Sequence, residues 1–195
     1  LVRASTGSLL LGKYLVDNGR HVVLIDSNHK NIQLAQERGL EAINTDIYSE
    51  TLSDNIELSD IGFLMALTGS ADINKYAISK FSKQFGENGT FRLITADELS
   101  NGETIPKEGL FSQTIDYDLL TKVARQYPKI NEIEIKDRAH YEILIEQINS
   151  DDTIVPLMVK DRRGVYEIIS SYNKAIENVD KGYRLVYMGK TLELK

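Results

Sequence analysis

The stretch Arg3-Ala4-Ser5-Thr6-Gly7-Ser8, together with Asp26, holds the residues of this chain whose types and spacing best suit chemistry. A phosphate needs backbone N–H groups, hydroxyls or a guanidinium around it, and a ribose needs a carboxylate that accepts from its two hydroxyls. Ser8 precedes Asp26 by eighteen residues, close to the roughly 20-residue interval between a glycine-rich phosphate turn and its ribose acid. The glycines of such a turn are mostly missing. Where G-x-G-x-x-G is expected, Arg3, Ser5 and Ser8 stand in the three glycine slots. Side chains there crowd a place where pyrophosphate approaches bare backbone. Arg3 can pair with a phosphate by charge instead, and Ser5, Thr6 and Ser8 offer hydroxyl donors around Gly7. The alternative is a turn that has kept the fold and lost its nucleotide.

Asp26 and the neighbouring Ser27 end an apolar run, HVVLID. An acid there holds ribose and disfavours a 2′-phosphate, or it caps the following helix. Asp46 and the pair Thr68-Gly69 end later apolar runs, where an adenine pocket or ordinary turn chemistry would account for them equally. The residues suit an adenine nucleotide as ligand, AMP, ADP, ATP or NAD(H), with no certain cofactor. No catalytic residue is assigned. The histidines, His21, His29 and His140, are scattered, and with no cysteine the chain has no disulfide, thiol nucleophile or thiolate metal site. Neither an enzyme nor a metal centre is expected.

Those residues need a scaffold, and the chain supplies an alternating one. Leu1-Val2 reads as the end of a buried strand, Gly7–Asn18 as a helix with Leu10, Leu11, Tyr14 and Leu15 on one face, and His21–Asp26 as a strand buried on both faces. A helix at Asn28–Arg38, a short strand from Ala42 to Asp46 and a polar helix-like segment at Glu50–Leu58 follow. A strand at Ile61–Leu67, a helix at Asp72–Phe85 capped by Asp72 or Ser70, and a strand at Thr90–Thr95 complete the pattern. The fold class is α/β: a Rossmann-like, doubly wound, mainly parallel sheet over 1–95. Ala96–Pro106 reads as a loop, and Tyr117–Gln126 as a helix within a linking segment, 96–128. The stretch 129–195 reads as a small antiparallel α+β module, with a half-exposed strand at Ile130–Lys136, a helix at Tyr141–Ile148 and a hairpin around Asp161-Arg162-Arg163-Gly164. Glu132 and Glu134 are read as solvated.

Composition narrows the partners. A net charge of −6 and a pI near 5.2 argue against a nucleic-acid polymer. No run of about 20 apolar residues is present, so nothing reads as a membrane span. The chain opens on Leu inside a strand, which suggests part of a longer protein.

Three segments carry a family resemblance: HVVLIDSNHKNIQLAQERGLEAINTDIYSETL, DIGFLMALTGSADINKYAISKFSKQFG and VPLMVKDRRGVYEIISSYNKAIENVDKGYRLVYMG. The first two resemble the TrkA-N or RCK (regulator of K⁺ conductance) domain, the second through Ala66, Thr68, Gly69 and Asn74. The third looks like a TrkA-C module, with Gly182 to Leu185 at its final strand. The whole resembles the cytosolic C-terminal region of bacterial sodium or potassium/proton antiporters. The resemblance implies a regulatory domain on the cytoplasmic side of the cell membrane. Its partners would be a transmembrane transport domain of the same polypeptide and a second copy in a homodimer. It also implies ribose at Asp26 and adenine near Asp46 and Thr68-Gly69, while Arg3, Ser5 and Ser8 depart from the family's phosphate turn.

Overall fold

A computed structural model describes residues 1–54, 61–86, 89–101, 106–112, 115–170 and 178–192. The chain divides into two compact units, Leu1–Thr95 and Ala96–Lys195.

In the first unit the named strands are β1 (Val23–Asp26), β2 (Glu41–Asn44), β3 (Leu64–Ala66) and β4 (Thr90–Arg92). Strand β1 pairs with β2, and β3 with β4, both in parallel. Val2 joins the two pairs, bridging Ile25 on one side and Ala66 on the other, again in parallel. Its amide donates to Met65 O and its carbonyl accepts from Leu67 N. The resulting order, β2-β1-Val2-β3-β4, places the first stretch of chain at the centre, as in half of a doubly wound sheet. The crevice where the strand order reverses therefore opens beside the residues that follow Val2.

Helices cover both faces. β1 sends Leu24 into a core with Ala4, Leu9, Ala35 and Leu40, which α1 (Thr6–Asp17) and α2 (His29–Glu37) cover. Val23 and Ile25 point the other way, into a core with Val2, Leu64, Ala66, Ala77 and Phe81 under α3 (Ala71–Phe85). This alternation explains the continuous apolar character of HVVLID. Both α1 and α2 stop at glycines in the left-handed region, Gly19 (φ +74) and Gly39 (φ +75). There the Arg20 amide reaches back to Leu15 O, and the Leu40 amide to Ala35 O. The strands are shorter than the apolar runs that announced them.

The inward face of α1 differs from expectation. Ser8, Leu9, Leu11 and Gly12 are buried, while Leu10, Tyr14 and Leu15 are only partly so. Small residues set the contact: a Cβ added at Gly12 would already touch Leu40, Val22 and Leu1 at 3.5 to 3.7 Å. Leu9 and Leu11 supply the apolar contact and Ser8 and Gly12 the close approach, so size as well as hydrophobicity chose the face. The segment after β2 is a short 3-10 turn, Glu50–Asp54, and the rest of the helical expectation there, 55–58, lies outside the described residues. Lys80 of α3 ties this loop down, its Nζ donating to Ile47 O at 2.9 Å and to Ser49 O.

The second unit is a four-stranded antiparallel sheet with helices. Its strands β5 (Ile130–Glu134), β6 (Ile154–Lys160), β7 (Tyr166–Ile168) and β8 (Arg184–Gly189) run in the order β5-β8-β6-β7. The helix α4 (Ala96–Ser100) stands where a loop was expected. Its turn-rich sequence, ADELS, is long enough for one turn and buries Glu98, while 102–105 lie outside the described residues. The stretch 96–128 falls with the rest of this unit, and α5 (Tyr117–Gln126) packs against β8 and β6. Asp116 caps α5, and Pro128 follows it closely. α6 (Arg138–Asn149) lays Tyr141, Leu144 and Ile148 over Ile154, Val159, Leu185 and Tyr187.

One reading of β5 needs correction. Its alternation holds, with Asn131, Ile133 and Ile135 on the inner face, where Asn131 donates its Nδ2 to Gly189 O at 3.1 Å, and Glu134 exposed on the other. Glu132, on that outer face, is not simply solvated. It pairs across the sheet with Arg184 at 2.9 Å and Lys160 at 3.5 Å, and its side chain is only 20% exposed.

Candidate functional site

The edge formed by the carboxyl ends of the parallel strands gathers the residues singled out from the sequence. Val2 leads into Arg3, Ala4 and Ser5, β1 ends at Asp26, β2 leads to Asp46, and β3 leads to Thr68 and Gly69. In open α/β sheets this is where ligands bind, most of all at the strand-order reversal.

Arg3 shows why the turn survives without its first glycine. Its φ is +87, in the left-handed region that favours glycine. An L-residue there costs on the order of 1–2 kcal/mol. The backbone thus bends as a glycine would, and the cost is offset by the hydrogen bonds on either side. The Arg3 amide donates to Ile25 O at 2.8 Å and the Ala4 amide to Asp26 Oδ2 at 2.9 Å. The Arg3 side chain is 45% exposed, with its guanidinium Nε 3.9 Å from Asp26 Oδ2. A half-exposed cation at the mouth of the turn suits an anion.

Ser5, in the second glycine slot, is the N-cap of α1 in extended backbone (φ −87) that any residue adopts. Its Oγ accepts from the Ser8 amide and lies 2.9 Å from Ser8 Oγ. The Ser5 hydroxyl is therefore turned toward the helix. Ser8 and Gly7 are both buried beneath the first turn, Ser8 completely. Ser8 belongs to the packing of α1 on the sheet, and the hydroxyl contact expected from it is not available at the surface.

Asp26 is the best-connected residue of the edge. Its side chain is 1% exposed. Oδ2 accepts from the Ala4 amide at 2.9 Å and from Asn31 Nδ2 at 3.0 Å, and Oδ1 from the Asn28 amide at 2.8 Å. The cap of α2 is Asn28, whose side chain accepts from the Lys30 amide. Asp26 thus sits two residues before the cap, tying the first turn to the start of α2. Ser27 is exposed beside it.

The remaining positions differ from one another. Asp46 is exposed, and its Oδ1 accepts from the Tyr48 amide at 2.9 Å. Gly69 is exposed at the turn after β3. Thr68 is buried: its hydroxyl donates to Asn74 Oδ1 at 2.7 Å and accepts from the Ser70 amide at 3.1 Å. The cap of α3 is Ser70 and not Asp72, since the Ser70 side chain accepts from the Ile73 amide.

Sequence reasoning missed Asn31 and Asn28 as partners of Asp26. The spacing Asp26-x-Asn28-x-x-Asn31 carried the signal, since it places an amide at the cap and another one turn into the helix. Asn74 entered only through the family resemblance; the structure gives it a local role in the turn.

The histidines stand apart. His21 Nε2 lies 2.9 Å from Glu41, His29 is exposed on α2, and His140 Nδ1 accepts from the Lys136 amide. Among the described residues no group of three or more His, Asp or Glu could hold a metal ion, and no helix is long and apolar enough to cross a membrane.

The first unit is thus a parallel, Rossmann-like fold of the nucleotide-binding type, with Arg3, Asp26 and Thr68 at the carboxyl ends of its strands. The TrkA-N domain model matches residues 6–107, just over half of the chain, and the chain belongs to that family. Among solved structures, the NAD(P)-binding domain of an exopolyphosphatase-related protein from Archaeoglobus fulgidus is similar at 19% identity and a TM-score of 0.38, covering 52% of this chain and 89% of that one. The curated proteins give no match.

Proposed function

We propose that this chain is a nucleotide-responsive regulatory domain of a membrane cation/proton antiporter or K⁺ transport protein. It would work as a homodimer on the cytoplasmic side, attached to a transport domain of the same polypeptide. The observation that carries the proposal is membership of the TrkA-N family, supported by a carboxyl edge at which Arg3, Asp46 and Gly69 stand exposed. Arg3 keeps the glycine-like turn and places an exposed guanidinium at its mouth.

An adenine nucleotide would lie along that edge. Its phosphate would meet Arg3 and the first turn of α1, and its base would meet the exposed Asp46 and Gly69. Asp26 would serve by holding the turn in shape. A ligand binding one arrangement of a dimer better than another shifts the balance between them, and an attached transport domain would read that shift. A second reading has its own support: with serines tucked inward at two glycine slots, the unit could be a structural dimerisation module whose nucleotide site is vestigial.

Thermal unfolding against AMP, ADP, ATP, NAD, NADH and cyclic di-AMP separates the two. A compound at a hundredfold over its Kd raises stability by about 2.7 kcal/mol. The informative variant is Arg3→Gly, which removes the guanidinium while suiting the positive φ, so lost binding cannot be blamed on lost folding. The regulatory reading expects one compound to shift the wild type and to shift Arg3→Gly much less. No shift from any compound favours the vestigial module.

A further inference from the structure

The Asp26 carboxylate has little left to give a ligand. A carboxylate offers about four lone-pair positions. On Oδ2 both are taken, by the Ala4 amide at 2.9 Å and Asn31 Nδ2 at 3.0 Å. On Oδ1 one is taken by the Asn28 amide at 2.8 Å, and with the side chain 1% exposed the last is out of reach. Reading the paired hydroxyls of a ribose needs acceptors that face the solvent.

We infer that Asp26 is an internal latch between the first turn and α2, and that Asn31 is the residue that withholds it from a ribose. Whatever binds this edge is then selected by its phosphate and base, with its ribose hydroxyls unread. The inference rests on the nucleotide reading for its ligand, and on the hydrogen bonds of the free chain for its latch. Asn31 is a positioning residue: it acts only through Asp26. Two of the three bonds come from backbone amides, which only proline would remove and at the expense of the turn, so Asn31 is the one member whose loss frees an acceptor without breaking it.

The test compares AMP with 2′,3′-dideoxy-AMP by titration calorimetry on the full chain, wild type and Asn31→Ala. The wild type should bind the two within about twofold. Asn31→Ala should gain about tenfold for AMP alone, the worth of a hydrogen bond to a charged acceptor. A merely structural role for Asn31 would move both compounds together. A wild-type preference for AMP of about tenfold, or no selective gain in the variant, overturns the inference. If neither compound binds, the nucleotide reading is left to the wider panel, and hydrogen exchange of the Ala4 amide in the ligand-free wild type decides the latch. Slow exchange that speeds up in Asp26→Asn upholds it, and fast exchange in the wild type overturns it.

Discussion

Asn74 Oδ1 lies 2.7 Å from Thr68 Oγ1 and 3.2 Å from the Thr68 amide, and Asn74 Nδ2 returns to Thr68 O at 2.9 Å and to Leu93 O at 3.1 Å. One fully buried carboxamide thereby fixes the turn after β3 and ties α3 to the chain beyond β4. Asn74→Ala takes the partner from the Thr68 amide and from the Thr68 and Leu93 carbonyls, while the Thr68 hydroxyl can still donate to Ser70 O. At about 1–3 kcal/mol for each group that stays dry, with some relaxation and water entry, the net loss should be about 3 kcal/mol. Urea denaturation measures it. Asn74→Asp should also destabilise, because it removes both donors while keeping the shape. A change below about 1 kcal/mol in either variant contradicts the assigned role.

The helix α1 was legible in extent but not in orientation, and Gly12 explains why. Of the four residues marked for one face, Leu11 is buried, while Leu10, Tyr14 and Leu15 yield to Ser8, Leu9 and Gly12, through which the helix comes close to the sheet. Periodicity reports which residues are apolar; it does not report how near two backbones must lie. The parallel sheet itself was readable, since apolar runs alternating with capped helical segments leave few other solutions. At the edge, Arg3, Asp26, Asp46 and Gly69 were named for the chemistry of their side chains. What sequence could not give was the use already made of them: Asp26 is held by Asn28 and Asn31, Ser5 and Ser8 face each other, and Arg3 supplies a glycine's backbone angle. Those are three-dimensional facts of hydrogen-bond partnering, invisible to spacing alone.

Gly12 also yields a graded prediction. The 3.5 to 3.7 Å contacts of an added Cβ are ordinary van der Waals distances. Gly12→Ala should therefore be tolerated and should gain up to about 1 kcal/mol from helix propensity. Gly12→Leu overpacks the same seam and should cost about 1–3 kcal/mol. Thermal unfolding of the pair tests the orientation of α1. Equal effects of Ala and Leu would mean that this face looks outward.

Tyr141 in α6 predicts an alkaline response. It is 1% exposed, and its hydroxyl has no hydrogen-bond partner among the described residues. Burial pushes its pKa above the usual tyrosine value, with Arg138 opposing and Glu167 adding. The folded value is raised above the unfolded one. Its contribution to stability is therefore complete below about pH 10 and is lost as pH rises from there toward the folded value. Tyr141→Phe removes a buried group that makes no bond, so it should be at least as stable at pH 7. It should also lose less stability between pH 10 and pH 11. An unchanged alkaline slope would contradict the burial of this hydroxyl.

The central claim, a nucleotide edge at the carboxyl ends of the parallel strands, is tested most directly by amide chemical-shift mapping. The ¹⁵N-labelled chain is titrated with AMP, ADP, ATP, NAD, NADH and cyclic di-AMP in turn. The account predicts that at least one compound moves the amides of Arg3 to Gly7, Asp46 and Thr68 to Ser70 together and saturably, and that Arg3→Gly weakens the effect. Shifts confined to residues outside that edge, or no saturable shift with any compound, would contradict it.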